Sequence, residues 1–91
     1  MDVKQAVVQA KSYVHDLFQE EGPVNVALEE VEFDTTANEW LITIGFSRTF
    51  GNAPYRISEV GELIDPRRSY KVVRISDVTG DVRSVKIQRT A

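Results

Sequence analysis

The acidic residues in the first half of the chain are the densest group of side chains that could do chemistry. Paired carboxylates can bind Ca²⁺ or Mg²⁺, or act as general acids and bases. The spacing does not match an EF-hand loop, and strand alternation predicts that Glu30 and Glu32 point away from Val31 and Phe33. We interpret the cluster as a solvated strand face that could bind a partner. It comprises Glu29, Glu30, Glu32, Asp34 and Glu39.

Other catalytic groups are sparse. His15 is the single histidine, there is no cysteine, and neither a GxGxxG nor a GxxxxGK[ST] loop occurs. A lone histidine on the polar side of a helix cannot supply a multi-histidine zinc site, and no nucleophile and orienting group accompany it. The sequence therefore predicts no catalytic residue, no metal site, no cofactor and no enzyme activity.

A basic and aromatic set surrounds the middle of the chain. Arginines interleaved with aromatic residues are typical of single-strand nucleic-acid sites, and equally of protein-binding hot spots or ordinary internal ion pairs. A pI of about 5.1 argues against nucleic acid, because phosphates would repel the acidic first half. A protein partner is the better candidate ligand. The set comprises Arg48, Phe50, Tyr55, Arg56, Arg67 and Arg68.

Positioning of these groups depends on a helix at the start of the chain. Apolar residues recur at helical spacing from Val3 to Phe18, and Asp2 with Gln5 has the spacing of a capping box. Gly22-Pro23 is a stop signal. The small residues Ala6 and Ala10 lie one turn apart and should let the helix approach a sheet closely.

Four strands are predicted after the helix, at 24–33, 39–48, 69–76 and 82–89. A phase slip at Glu29-Glu30 indicates a β-bulge, and a turn around Gly80 joins the last two strands. We place Val85 and Ile87 inward on the last strand. In the second strand the alternation places four residues against the helix: Trp40, Ile42, Ile44 and Phe46.

The element order α-β-β-β-β with direct connections favours an antiparallel meander covered by the helix on one face. We expect a single α+β domain over 1–91. Residues 49–68 form a long loop or insert, in which a short helix after Ser58, a cover over one end of the core or a mobile flap are open alternatives.

The chain resembles PepSY-type modules within the cystatin-like group of helix-on-sheet folds. The resemblance rests on the helix with Ala6 and Ala10, on Trp40 at the start of the second strand, and on the Asp-x-x-Thr-Gly-Asp-Val turn from Asp77 to Val82. It covers most of the chain outside 49–68. It implies a regulatory or protein-binding module without catalytic residues, often proposed to act on proteases.

Cellular context can also be predicted. The first residues contain no uninterrupted apolar segment typical of a signal peptide, and no stretch approaches membrane-spanning length. With the absence of cysteine, this favours a cytoplasmic protein and argues against a membrane partner. We expect a small binding or regulatory domain of bacterial inhibitor or immunity type. A nucleic-acid-binding loop at 48–68 and a small-ligand cup between helix and sheet are the alternatives.

Charge is distributed unevenly along the chain. Residues 1–47 hold nine acidic and two basic side chains, whereas residues 48–91 hold nine basic and five acidic ones. The two halves could lie side by side and neutralise each other. In a meander, however, the acidic first strand and the basic last strand lie at opposite edges. Such polarity could steer a charged protein partner, or align copies of the chain edge to edge as a homodimer.

Overall fold

The described part of the chain consists of one α-helix packed on one main sheet, with a 3₁₀ turn and a two-stranded pair. A computed structural model describes residues 1–49, 56–57, 63–64 and 68–88, with only the backbone at 56–57 and 63–64. The elements are α1 (Val3–Leu17), a 3₁₀ turn (Gln19–Glu21), β1 (Pro23–Asp34), β2 (Glu39–Arg48), β3 (Arg56–Ile57), β4 (Leu63–Ile64), β5 (Arg68–Ser76) and β6 (Val82–Ile87). The main sheet is antiparallel in the order β1-β2-β5-β6, and β3 pairs with β4 separately. The predicted α+β fold with a four-stranded meander is confirmed.

Helix α1 begins with the predicted capping box. The backbone N–H of Gln5 donates to Asp2 Oδ1 at 2.8 Å, and the N–H of Asp2 donates to Gln5 Oε1 at 2.8 Å. The helix ends at Leu17, earlier than the Gly22-Pro23 signal predicted. A 3₁₀ turn fills the interval, and Gly22 then adopts a left-handed backbone with φ 61°. Glycine tolerates this conformation without steric cost, so the chain can turn into β1 there.

The core lies between α1 and the inward face of β2 and β5. Its residues are completely buried, and they include the small helix residues that the sequence placed against the sheet. Phe18 extends the core at the helix end, with its ring centroid 5.2 Å from that of Phe46. Burying each large aliphatic or aromatic side chain contributes about 1.5–3 kcal/mol. The core comprises Ala6, Ala10, Val14, Ile42, Ile44, Phe46, Val73 and Ile75.

Strand β1 is irregular along its pairing with β2. The register shifts between Leu28 and Glu30, as the phase slip predicted, and shifts again between Val24 and Ala27. Within the second irregularity Asn25 has φ 54°, a left-handed conformation that asparagine adopts more readily than most residues. The shift between Leu28 and Glu30 leaves Glu29 without a partner in β2, so its side chain does not follow the regular alternation of β1.

Trp40 ties the two hairpins of the sheet together. Its ring packs on Phe33 with centroids 4.8 Å apart, and its Nε1–H donates to Asp77 Oδ1 at 2.9 Å. The backbone N–H of Asp77 donates to Asn38 O at 2.9 Å, so the turn after β5 is bonded to the turn before β2. The N-terminal ammonium group lies 3.4 Å from the same Asp77 carboxylate.

One local prediction is half right and one alternative fails. Ile87 lies on the same side of β6 as Val85, but it is 64% exposed because it lies at the end of the last strand, outside the core formed by α1. Leu63 and Ile64 pair with β3 as strand β4, so the alternative of a short helix after Ser58 does not hold there. Val60 lies outside the described residues, as does the predicted strand end at Arg89.

Close approach of α1 to the sheet predicts the effect of enlarging Ala10. Ala10→Leu should lower the free energy of unfolding by about 1–3 kcal/mol, because a completely buried alanine leaves no room for a larger side chain. Ser12→Leu, on the exposed side of the same helix, is the control and should change stability by about 0.5 kcal/mol or less. Urea denaturation followed by circular dichroism measures both. Equal stability of the two variants would contradict the packing described.

Candidate functional site

The sheet face opposite α1 gathers most of the side chains that could bind a partner. Strand pairing places Leu41 beside Arg74, and Thr43 beside Val72. We call this surface the open face. Its residues are Glu30 and Glu32 from β1, Leu41, Thr43, Gly45 and Ser47 from β2, Arg68, Tyr70, Val72 and Arg74 from β5, and Ser84 and Lys86 from β6.

One end of the open face is covered by an ion pair that crosses Gly45. Arg68 donates to Glu29 Oε1 at 3.0 Å and to Asn25 O at 2.9 Å, and its guanidinium carbon lies 5.9 Å from the centroid of the Tyr70 ring. A Cβ at Gly45 would lie 2.7 Å from Glu29 Oε1 and 2.9 Å from Arg68 Nη2. Glycine is therefore what allows the bulged Glu29 to meet an arginine two strands away.

The other end of the open face is held by Arg74. Its Nη1 lies 3.2 Å from Glu39 Oε1 and 3.8 Å from Asp34 Oδ2. Asp34 also accepts hydrogen bonds from the backbone N–H groups of Thr36 and Ala37, so its carboxylate is fixed by the turn after β1. Asp34 and Glu39 are therefore paired with a basic residue from the second half of the chain. This agrees with the prediction that the acidic first half and the basic second half could neutralise each other.

Two acids of the cluster differ from the others. Glu30 and Glu32 are exposed on β1, and no basic group of the described residues lies within 4 Å of either. At the opposite edge, Arg83 and Lys86 are exposed on β6 and likewise have no acidic neighbour within 4 Å in the described segments. Because β1 and β6 are the two outer strands, the predicted charge separation across the sheet is present in its topology.

Between these charges the open face contains a concave region of about 510 Å³, which we call the open-face depression. Leu41 and Val72 give it an apolar floor, and Ser84 Oγ is buried there without a hydrogen-bond partner in the described structure. The sequence analysis did not identify this depression. The signal that could have revealed it was the apolar character of Leu41 and Val72, which face outward on neighbouring strands. The lining residues are Leu41, Val72, Arg74, Ser84, Lys86 and Ile87.

The predicted basic and aromatic set does not form one surface in the described structure. Arg48 lies on the helix side of the sheet, where it bonds Glu21 and Ser69 and its guanidinium carbon lies 5.2 Å from the centroid of the Phe46 ring. Arg68 lies on the open face, because it pairs with Ser47. Phe50, Tyr55 and Arg67 lie outside the described residues, as does the side chain of Arg56.

The remaining chemistry-bearing residues are isolated. His15 Nδ1 lies 3.4 Å from Asp16 Oδ1, and both side chains are mostly exposed. Within the described segments, no three histidine or acidic side chains are grouped so that they could hold a metal ion. A second concave region, of about 440 Å³, lies along the helix flank at Val3, Val7, Val8 and Leu28. No helix in the described part of the chain is long and apolar enough to cross a membrane.

Comparison with known proteins gives no match, whether to a family model, a curated protein or a solved structure. The resemblance to PepSY-type modules stays a prediction.

The Arg68 contacts predict a stability difference between two strand arginines. Arg68→Ala should lower the free energy of unfolding by about 1–2 kcal/mol. It removes the ion pair with Glu29, the hydrogen bond to the Asn25 carbonyl oxygen and the contact with the Tyr70 ring. Arg83→Ala is the control: this exposed arginine lacks such contacts in the described structure, and its loss should cost about 0.5 kcal/mol or less. Urea unfolding tests both variants, and equal losses would contradict a structural role for Arg68.

Proposed function

We propose that the chain is a small, non-enzymatic protein-binding domain that engages a protein partner through its open face. The open-face depression carries the proposal, because it places Leu41 and Val72 between uncompensated charges of opposite sign on β1 and β6. Protein interfaces commonly have an apolar centre within a polar rim. A regulatory protein of inhibitor or immunity type fits this surface, since such a protein acts by occupying a partner.

The charged edges of the open face support recognition of a polar partner. Glu30 and Glu32 lie at one edge, and Lys86 lies at the other, next to the depression. Charges in this position steer encounter and fix orientation more than they add affinity. The proposed partner therefore presents an apolar residue flanked by charges in the opposite order, and its association slows as salt screens the attraction.

The alternative functions have less support in the described residues. Arg48 and Arg68, the two arginines of the nucleic-acid interpretation whose side chains are described, are both engaged in internal bonds. The space that a ligand cup would use is filled by the completely buried core between α1 and the sheet. A protein partner needs neither a free arginine cluster nor an internal cavity.

Location and origin belong to the same proposal. A cysteine-free chain fits a reducing compartment, and we infer a cytoplasmic protein of bacterial inhibitor or immunity type on that basis. The resemblance to PepSY-type modules supports a regulatory role without catalytic groups. A homodimer is the alternative assembly.

Affinity capture from a lysate of the source organism tests the proposed surface. The tagged chain should retain one protein in near-stoichiometric yield, and Leu41→Glu combined with Val72→Glu should abolish retention by placing charge in the apolar centre. Val8→Glu on the helix flank, where the side chain is 64% exposed, is the matched control and should retain the partner. The folded state of each variant is checked by circular dichroism. Loss of capture in the helix-flank variant alone, or equal capture by all three proteins, would contradict the open face as the binding surface.

A further inference from the structure

Strand β6 presents a short row of main-chain groups at the edge of the sheet, and its pairing with β5 is regular from Ser84 to Ile87, after one register shift at Arg83. No described strand pairs with its outer side. The N–H of Gln88 donates to Tyr70 O at 3.1 Å, so this opposed pair is a hydrogen-bonded one. Hydrogen-bonded and non-hydrogen-bonded pairs alternate in an antiparallel ladder. Val85 and Ile87, opposite Val73 and Lys71, are therefore in non-hydrogen-bonded pairs, and their N–H and C=O groups point away from β5.

The opposite edge of the sheet offers no such row. Strand β1 has two register irregularities, and Asn25 within one of them has φ 54°. Bulges interrupt the even spacing of outward N–H and C=O groups, which is one way in which proteins protect an edge strand from pairing. From Ser84 to Ile87 the pairing of β6 with β5 continues without a shift. The edge that can accept another strand is therefore β6.

The side chains around the β6 edge favour an acidic partner. Val82–Ile87 contains Arg83 and Lys86 and no acidic residue, and both basic side chains are exposed. Lys86 and Ile87 also line the open-face depression, which contains the buried and unpartnered Ser84 Oγ. An added strand would alternate its side chains. Those on the open-face side would lie beside Ser84 and Lys86, at the rim of the depression.

We propose that the outer edge of β6 is a strand-addition site for an extended acidic segment of a partner protein. The inference rests on the proposed function and specifies how the partner is recognised. Main-chain hydrogen bonds to Val85 and Ile87 provide the attachment, and Lys86 with Arg83 selects carboxylates. A second copy of this chain fits the β6 edge less well than an acidic segment does. Pairing β6 with β6 would oppose like charges, and the acidic β1 of another copy is irregular.

Amide hydrogen exchange on the ¹⁵N-labelled full chain tests this site. The probe is a short acetylated and amidated peptide of alternating valine and glutamate, and the control peptide has lysine in place of glutamate. At saturation with the glutamate peptide, exchange at the Val85 and Ile87 amides should slow about tenfold or more, because these amides become hydrogen-bonded. The lysine peptide should leave both amides unchanged.

A proline at Ile87, the last residue of β6, should prevent pairing at the sheet edge without disturbing the fold. Ile87→Pro removes an outward N–H, and its side chain is 64% exposed, so no bond to β5 and little packing are lost. It should weaken binding of the glutamate peptide about tenfold or more, the effect of one lost hydrogen bond of ordinary strength. Ile87→Thr also loses the apolar side chain but keeps the N–H, so it should bind the glutamate peptide more tightly than Ile87→Pro does. Dispersed amide spectra of both variants verify the fold.

Three results would overturn the proposal. The first is unchanged exchange at Val85 and Ile87 with the glutamate peptide at about 1 mM. The second is equal protection by both peptides. The third is self-association of the chain that Ile87→Pro abolishes, which would identify a second copy as the occupant. If Ile87→Pro still captures the partner that the Leu41 and Val72 double variant loses, the β6 edge inference fails and the open-face proposal stands.

Discussion

The close contact between α1 and strand β2 is the interaction on which the rest of the structure depends. Ala6 and Ala10 are small enough for the helix backbone to lie near the sheet, and Ile42, Ile44 and Phe46 are buried completely beneath it. This fixes which face of every strand points inward, since a shift of one residue would expose the whole apolar set. Each charged side chain of the open face owes its direction to this contact.

The other face of β2 carries small residues at three consecutive outward positions. Its outward residues Thr43, Gly45 and Ser47 are small and buried, so long side chains from the neighbouring strands can lie across them. Glu29 and Arg68 meet over Gly45 in this way. A larger residue at that position would separate the pair. Toward Leu41 and Val72 no such cover is present among the described residues, and the surface is concave there.

Elements with strong local patterns could be predicted from the sequence, and contacts between distant residues could not. The capping box at Asp2, the inward set of β2 and the phase slip at Glu29 each depend on neighbours in the chain, and each is confirmed. The 3₁₀ turn before Gly22 was missed, because i→i+3 bonding has no distinct apolar period.

Grouping of the candidate site residues by sequence was only partly right. Glu29 and Arg68 belonged to separate predicted clusters, yet they form one ion pair across two strand boundaries. Arg48 and Arg68 were placed in one cluster, but the pleat directs them to opposite faces of the sheet. Which strands become neighbours decides such contacts, and a one-dimensional pattern does not contain that information.

The two outer strands avoid unwanted pairing by different means, and the difference bears on function. β1 combines two register shifts with carboxylates. β6 has one register shift, at Arg83, and Arg83 and Lys86 are the charged side chains that oppose self-pairing of its regular part from Ser84 to Ile87. Charged residues on an edge strand repel an identical strand. The same charges attract a strand of opposite sign, so protection against self-association and selection of an acidic partner require the same two side chains. The regular part of β6, protected by charge, therefore remains competent for a complementary partner, whereas the two shifts in β1 interrupt the outward groups of that edge.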